Sequence, residues 1–208
     1  MSKGLPVSYI LIAINVIVSL IGFSRAEFFN AFLFQVGPVR DGEFYRLLTS
    51  GFLHGNFTHL LFNMFTLFFF GPVLEDCRVF GKKNFLIVYF FALLAGNLGA
   101  LWFNFNNPYY AAVGASGAIS GIMVSVSLFV PFMTILIFGI IPIPAILFTG
   151  LFIAFSFFAM RFDHFSNVGH EAHLVGAVAG LLVTIVIQPR VIPNVFGQIA
   201  GLFSNRKR

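Results

Sequence analysis

Charge is what this chain has least of. Only 9% of its 208 residues are Asp, Glu, Lys or Arg, against 59% that are hydrophobic. A soluble domain carries about 25% charged residues, so there are too few here to cover a water-facing surface. The single cysteine, Cys77, excludes an internal disulfide; in an expected cytoplasmic loop it reads as a structural or incidental thiol. No Asp or Glu falls in the interior of an apolar run, and no repeat halves or broken helices are visible. Transporters and channels carry such features along their pathways, so that class is disfavoured. What is present is apolar: a mean hydropathy of +0.95 and 31 phenylalanines describe a polytopic membrane protein.

The net charge of +5 does not point to nucleic acid. The basic residues stand at the ends of apolar runs and in the tail Arg206-Lys207-Arg208, where they set orientation and meet anionic lipid heads. With the N-terminus cytoplasmic, Lys3, Arg78, Lys82, Lys83, Arg190, Arg206, Lys207 and Arg208 lie inside, and Arg25, Arg40, Arg46 and Arg161 outside. That count, eight against four, places both termini in the cytoplasm. The first apolar run, Val7 to Phe23, follows Lys3 and has no small-residue cleavage site after it, which fits a retained signal-anchor.

A helix needs about 20 apolar residues to cross a bilayer. Six segments qualify, at 6–24, 53–71, 84–104, 112–130, 142–160 and 170–188, giving an all-α bundle in one domain over 1–208. Pro142 and Pro144 suit the first turn of the fifth helix, and the stretch Thr134 to Ile141 before it reads either as a membrane-edge loop or as an early helix start. The outside loop from Ser24 to Phe52 is too long for a simple connector and calls for structure of its own. Tyr45 and Arg46 within it read as anchors.

The polar residues of the segments gather at one depth. Segments two, four and six enter from the outside, and near those entrances stand His54, His59 and Asn63, then Ser116, then His170 and His173. At 1.5 Å per residue, Ser116 is expected about 6–8 Å below the start of its helix. Ser116 and Ser120 share a helical face beside Gly117 and Gly121, and His173 shares one with Gly176 and Gly180. Glycine tracks let backbones approach closely, so contact between these two helices would bring Ser116 to His173. Serine becomes a nucleophile when a base takes its proton, and neutral histidine is the common base. The Ser116 amide, His59 and Asn63 are candidate donors to an oxyanion.

These residues match a family. Gly114-Ala115-Ser116-Gly117, His54-x4-His59-x3-Asn63 and His170-x2-His173-x2-Gly176, in that order of helices, resemble the rhomboid intramembrane serine proteases over nearly the whole chain. The resemblance implies Ser116 as nucleophile, His173 as base, an oxyanion site of His59, Asn63 and the Ser116 amide, and Gly114 in the loop that shapes it. The family's Trp-Arg pair stands here as Tyr45-Arg46. Members often carry an aromatic residue four after the serine, packed on the catalytic histidine; here it is Ser120. Also implied are single-pass transmembrane substrates with small residues at the cut site and helix-weakening residues nearby.

Blander readings compete at each position. Ser116 alone would be a packing residue and His173 a histidine bonded across helices. His54 reads as a residue of the water interface shaping the site, His170 as a neighbour of the base, and His164 as a solvated loop residue. A zinc protease motif needs histidines four apart, whereas His170 and His173 are three apart, so neither metal nor cofactor is expected. The rival in the same fold is a catalytically silent rhomboid-like protein that binds membrane helices. The expectation is an intramembrane serine endopeptidase with a Ser-His dyad, in a bacterial plasma membrane, its site opening to the outer side. The connection Asn104 to Val113 is expected to offer backbone groups to an extended substrate.

Overall fold

The computed structural model describes residues 4–76, 78–137, 140–162 and 168–204; the sequence readings for Cys77, His164 and the 205–208 tail lie outside them. Among the described residues, five helices are long and apolar enough to cross a membrane. They are α1 (Val7–Ser24), α5 (Phe57–Glu75), α6 (Lys82–Phe103), α8 (Ala145–Phe162) and α9 (His170–Ile187). The rest of the helical set is short: α2 (Ala26–Phe32), α3 (Val36–Arg40), α4 (Arg46–Thr49), α7 (Ser116–Phe129) and α10 (Val191–Ser204).

Helix α7 is the axis of the bundle, with every residue from Gly117 to Met123 buried. Its small residues account for that position. A Cβ on Gly121 would lie 2.6 Å from Ala92 of α6 and 3.1 Å from the Gly176 carbonyl of α9. Gly176 and Gly180 abut Gly117 and Gly121 in the same way, so the α7 and α9 backbones are in direct contact. Hydroxyls finish the seam: Ser125 and Thr184 are 2.7 Å apart, and Ser127 donates to Thr149 of α8 at 2.9 Å. Around this axis Leu67, Phe70, Phe85, Tyr89 and Leu93 pack in the core with Ile122 of α7.

The fourth segment departs from the sequence reading. It was expected over 112–130, but α7 begins at Ser116 and has 14 residues. The reason lies upstream. Gly114 sits at φ +123°, outside any helix, and Ala111–Ala112 (β2) pair antiparallel with Phe34–Gln35 (β1) of the first loop. Ser116 therefore opens its helix instead of lying a turn or more inside it.

The stretch before the fifth helix is neither a loop nor an early helix. Thr134–Ile137 (β3) and Ile141–Pro144 (β4) make an antiparallel hairpin in which Leu136 faces Pro142, so both prolines precede α8. Tertiary amides suit an edge strand with no neighbour to receive a donor. Helix α10 was not anticipated; Val191 and Val195 bury one side of it while Asn194, Phe196 and Gln198 are exposed.

The first outside loop does have structure of its own. Arg46 is buried at its centre, donating from Nη1 to the carbonyls of Asn30 and Leu33 at 2.8 Å each, and from Nε to Glu43 at 2.7 Å. The Tyr45 hydroxyl reaches the Ala31 carbonyl at 3.1 Å and Glu43 at 2.7 Å. The hydrogen bonds from Tyr45 and Arg46 hold the Glu43 carboxyl below its ordinary value of 4.5. Arg46 thus anchors the loop by meeting its carbonyls.

Candidate active site

The first turn of α7 presents Ser116 and the first turn of α9 presents His173. Because the two backbones touch at glycine, the side chains meet: Ser116 Oγ and His173 Nε2 are 2.8 Å apart. His173 is 7% exposed, so water scarcely competes for its ring. As the first residue of α7, Ser116 has an N–H with no carbonyl one turn earlier to receive it. That amide is free to point at a ligand.

Three neighbours fix the His173 ring. Phe152 of α8 lies against it, centroids 5.2 Å apart and planes inclined by 36°. His170 meets it edge-on at 5.6 Å. Ser156 Oγ, fully buried, stands 3.3 Å from its second nitrogen, Nδ1. Ser120 has no part in this; its hydroxyl donates back to the Ser116 carbonyl at 2.7 Å. The aromatic support absent from α7 is therefore supplied by α8. Phe152 and Ser156 escaped the sequence reading, although Thr149, Phe152 and Ser156 recur at the spacing of one helical face.

On the other side of Ser116 stand the residues of α5. Asn56 caps that helix, accepting from the His59 amide at 2.8 Å, which sets the direction of the first turn. The His59 ring occupies the place where a Gly114 side chain would be, 2.7 Å from the ideal Cβ position. The loop before Ser116 is pinned by a Gly114 N–H to Ser50 carbonyl bond of 3.0 Å. Asn63 is buried and gives one amide hydrogen to the His59 carbonyl at 2.9 Å, leaving its second.

His54 differs from its expectation. It is not at a water interface but fully buried, its Nδ1 2.9 Å from Ser19 Oγ of α1 and its ring edge-on to His59 at 5.0 Å. The sequence pattern could not supply Ser19 as its partner, since 35 residues separate them.

Above the site lies a groove of about 1350 Å³, whose lining includes His59, His170, Glu171, Tyr110, Ala112 and Val113. Glu171 ties its two walls together, accepting from Asn104 Nδ2 at 2.9 Å and from the Tyr110 hydroxyl. Burial and this carboxylate push the Tyr110 phenol well above its ordinary value of 10.0. The 104–113 connection has already committed part of its backbone: the carbonyls of Pro108 and Tyr110 accept from Gly37 and Val36. That leaves fewer groups for a substrate strand than the sequence suggested. Among the described residues, no three His, Cys, Asp or Glu side chains gather as a metal-binding group.

Comparison with known proteins places this geometry in context. The Rhomboid domain family model matches residues 41–190. The chain is 47% identical over 85 residues to the putative rhomboid protease YdcA of Bacillus subtilis, covering 40% of each protein. It is 29% identical over 179 residues to the mitochondrial RHOMBOID-like protein 12 of Arabidopsis thaliana, covering 77% of this chain and 51% of that one. It also resembles the inactive RHOMBOID-like protein 8 of Arabidopsis thaliana, 34% identical over 83 residues, 40% of this chain and 23% of that one. The chain thus spans about half or less of the length of these relatives.

Proposed function

The chain belongs to the rhomboid family, an integral membrane family of intramembrane proteases, and from that premise we propose that it is an active serine endopeptidase working through a Ser116–His173 dyad. The observation that carries the reading is the 2.8 Å separation of Ser116 Oγ from His173 Nε2. Nε2 takes the hydroxyl proton as Oγ attacks a peptide carbonyl carbon. The tetrahedral oxyanion is met by the Ser116 N–H, the His59 ring and the second amide hydrogen of Asn63. His173 then gives its proton to the leaving amine, and an acyl-enzyme remains on Ser116. Water, deprotonated by the same nitrogen, releases the acid and restores the hydroxyl. Gly114, Gly117 and Gly176 support the site through backbone approach; His54 and His170 support it through ring contacts.

The substrates are single-pass membrane proteins with small residues at the cut site. A peptide bond in a transmembrane helix is already hydrogen-bonded, so the segment must unwind before its carbonyl reaches Ser116. The protein resides in a bacterial plasma membrane, with both termini inside and the groove opening outward.

The test is cleavage of a transmembrane model substrate in detergent by wild type, Ser116→Ala and His173→Ala. Each substitution is expected to lower kcat on the order of 10³-fold or more. A fluorophosphonate or isocoumarin probe is expected to label wild type at Ser116. The likeness to an inactive relative favours one other reading, a protein that holds membrane helices without cutting them. A folded wild type that neither cleaves nor takes the probe would establish that reading instead.

A further inference from the structure

Most of α8 faces outward: Leu147, Leu151, Phe155, Phe157, Phe158 and Phe162 are all exposed. Its buried residues, Ala145, Thr149, Ser156 and Ala159, lie on one face turned toward α7 and α9. Two of the four are hydroxyl residues, and each touches another helix. Thr149 receives the Ser127 hydroxyl, which accounts for it structurally. Ser156 instead meets the one ring nitrogen that the dyad leaves over, 3.3 Å from His173 Nδ1.

Resting on the protease reading above, we propose that Ser156 is a positioning residue that orients the His173 ring and receives its Nδ1 hydrogen while Nε2 serves as the base. For Nε2 to accept the Ser116 proton, the ring's own proton must sit on Nδ1. In a buried site that Nδ1–H needs an acceptor, because an unmet buried donor is costly. A neutral Ser156 oxygen fills the place that an Asp occupies in a Ser-His-Asp triad. The opposite tautomer would aim Nε2–H at Ser116 Oγ and leave no base. Phe152, packed on the ring, limits its rotation, and a bond from Nδ1–H to Ser156 strengthens as the ring becomes imidazolium in the reaction. No bond to Ser156 is made or broken in the reaction.

The experiment compares Ser156→Ala with wild type on a transmembrane model substrate in detergent. The expected result is a fall in kcat of about 3- to 10-fold, the worth of one neutral hydrogen bond, with KM unchanged because Ser156 meets no substrate. The rate of fluorophosphonate labelling at Ser116 should fall by the same factor, and thermal unfolding should stay near that of wild type. Ser156→Thr against Ser156→Val, matched in shape and different only in the hydroxyl, supplies a second comparison that stands if the Ala variant fails to fold. Thr is expected to be the more active of the two by a similar factor. Equal kcat across wild type and Ala, or across Thr and Val, overturns the inference while leaving an active dyad in place. A wild type without cleavage or labelling overturns the protease reading beneath it.

Discussion

Gly114 is a residue whose replacement acts on the oxyanion loop and on the backbone at once. Its φ of +123° is a region that a side chain enters at a cost of roughly 1–3 kcal/mol. A Cβ there would also lie 2.7 Å from the His59 ring, so His59 or the loop must shift. Both are proposed to face the oxyanion, and a misplacement of about 1 Å can lower a rate by about 10²-fold. Gly114→Ala is therefore expected to lower kcat by about that factor and to lower the unfolding temperature by the cost of the strain, roughly 1–3 kcal/mol, with the protein still folded. Thermal melts beside cleavage kinetics in detergent check it, and an unchanged kcat would remove Gly114 from the oxyanion loop. The bonding serine and histidine were legible because their motifs carry fixed spacings. Ser156 and Phe152 were not, since a lone serine or one phenylalanine among 31 has no sequence signal until α8 is docked.

At the scale of elements, the bundle depends on a few polar contacts between helices with few other specific ties. Glu75, buried at the end of α5, accepts from the amides of Val7 at 2.6 Å and Ser8 at 2.5 Å, the first residues of α1. Those amides have no partner within their own helix, and the carboxylate also meets the positive end of its dipole. Hydrogen bonds to a charged group contribute about 1.5–3 kcal/mol, so Glu75→Ala should lower stability by about that amount, read as a fall in unfolding temperature in detergent. An unaltered melt would mean that α1 is held by packing alone. Close backbone approach makes a second test. Val in place of Gly180 meets the α7 backbone at Gly121, and overpacking of this kind costs about 1–3 kcal/mol or more. Gly180→Val is expected to destabilise the fold and to separate Ser116 from His173, abolishing labelling at Ser116.

The long helices were legible from hydropathy, since apolar length is the property the bilayer selects. The short or irregular elements were not. The β1–β2 pairing joins residues far apart in the chain, and together with the positive φ of Gly114 it explains why the fourth helix starts at Ser116. The β3–β4 hairpin is made of residues as apolar as any helix here, so periodicity gave no warning of it. The loop helices likewise depend on Arg46, whose carbonyl partners are 13 and 16 residues away. Acid should loosen that loop. Glu43 is depressed by its hydrogen bonds to Tyr45 and Arg46, so its contribution is present above the ordinary value of 4.5 and lost as pH falls below it through the folded value. Protease nicking within 24–52 is expected to rise on acidification, and Glu43→Gln should remove that pH dependence.

For the whole molecule, the question is which side of the membrane supplies water to Ser116. Helix α7 has 14 residues, about 21 Å at 1.5 Å per residue, against a hydrocarbon core of about 30 Å. Its C-terminal end is met by α10, where Gln198 donates to the Phe129 carbonyl at 3.3 Å. Its N-terminal end, with Ser116, stops beneath the groove. That groove shares its end of the bundle with the first loop and with the exposed Trp102 and Tyr109, rings suited to the headgroup level. Lys82 and Lys83, at the start of α6, mark the opposite end, which the proposed orientation puts on the cytoplasmic side. Possession of a single cysteine makes the assignment simple to test. In a Cys77→Ser background, Asn106→Cys is expected to react with an impermeant maleimide in intact bacterial cells, and Lys83→Cys only after the membrane is opened. Labelling in the reverse order would put the groove on the inside, and substrates would then have to present their cut sites from the cytoplasmic face.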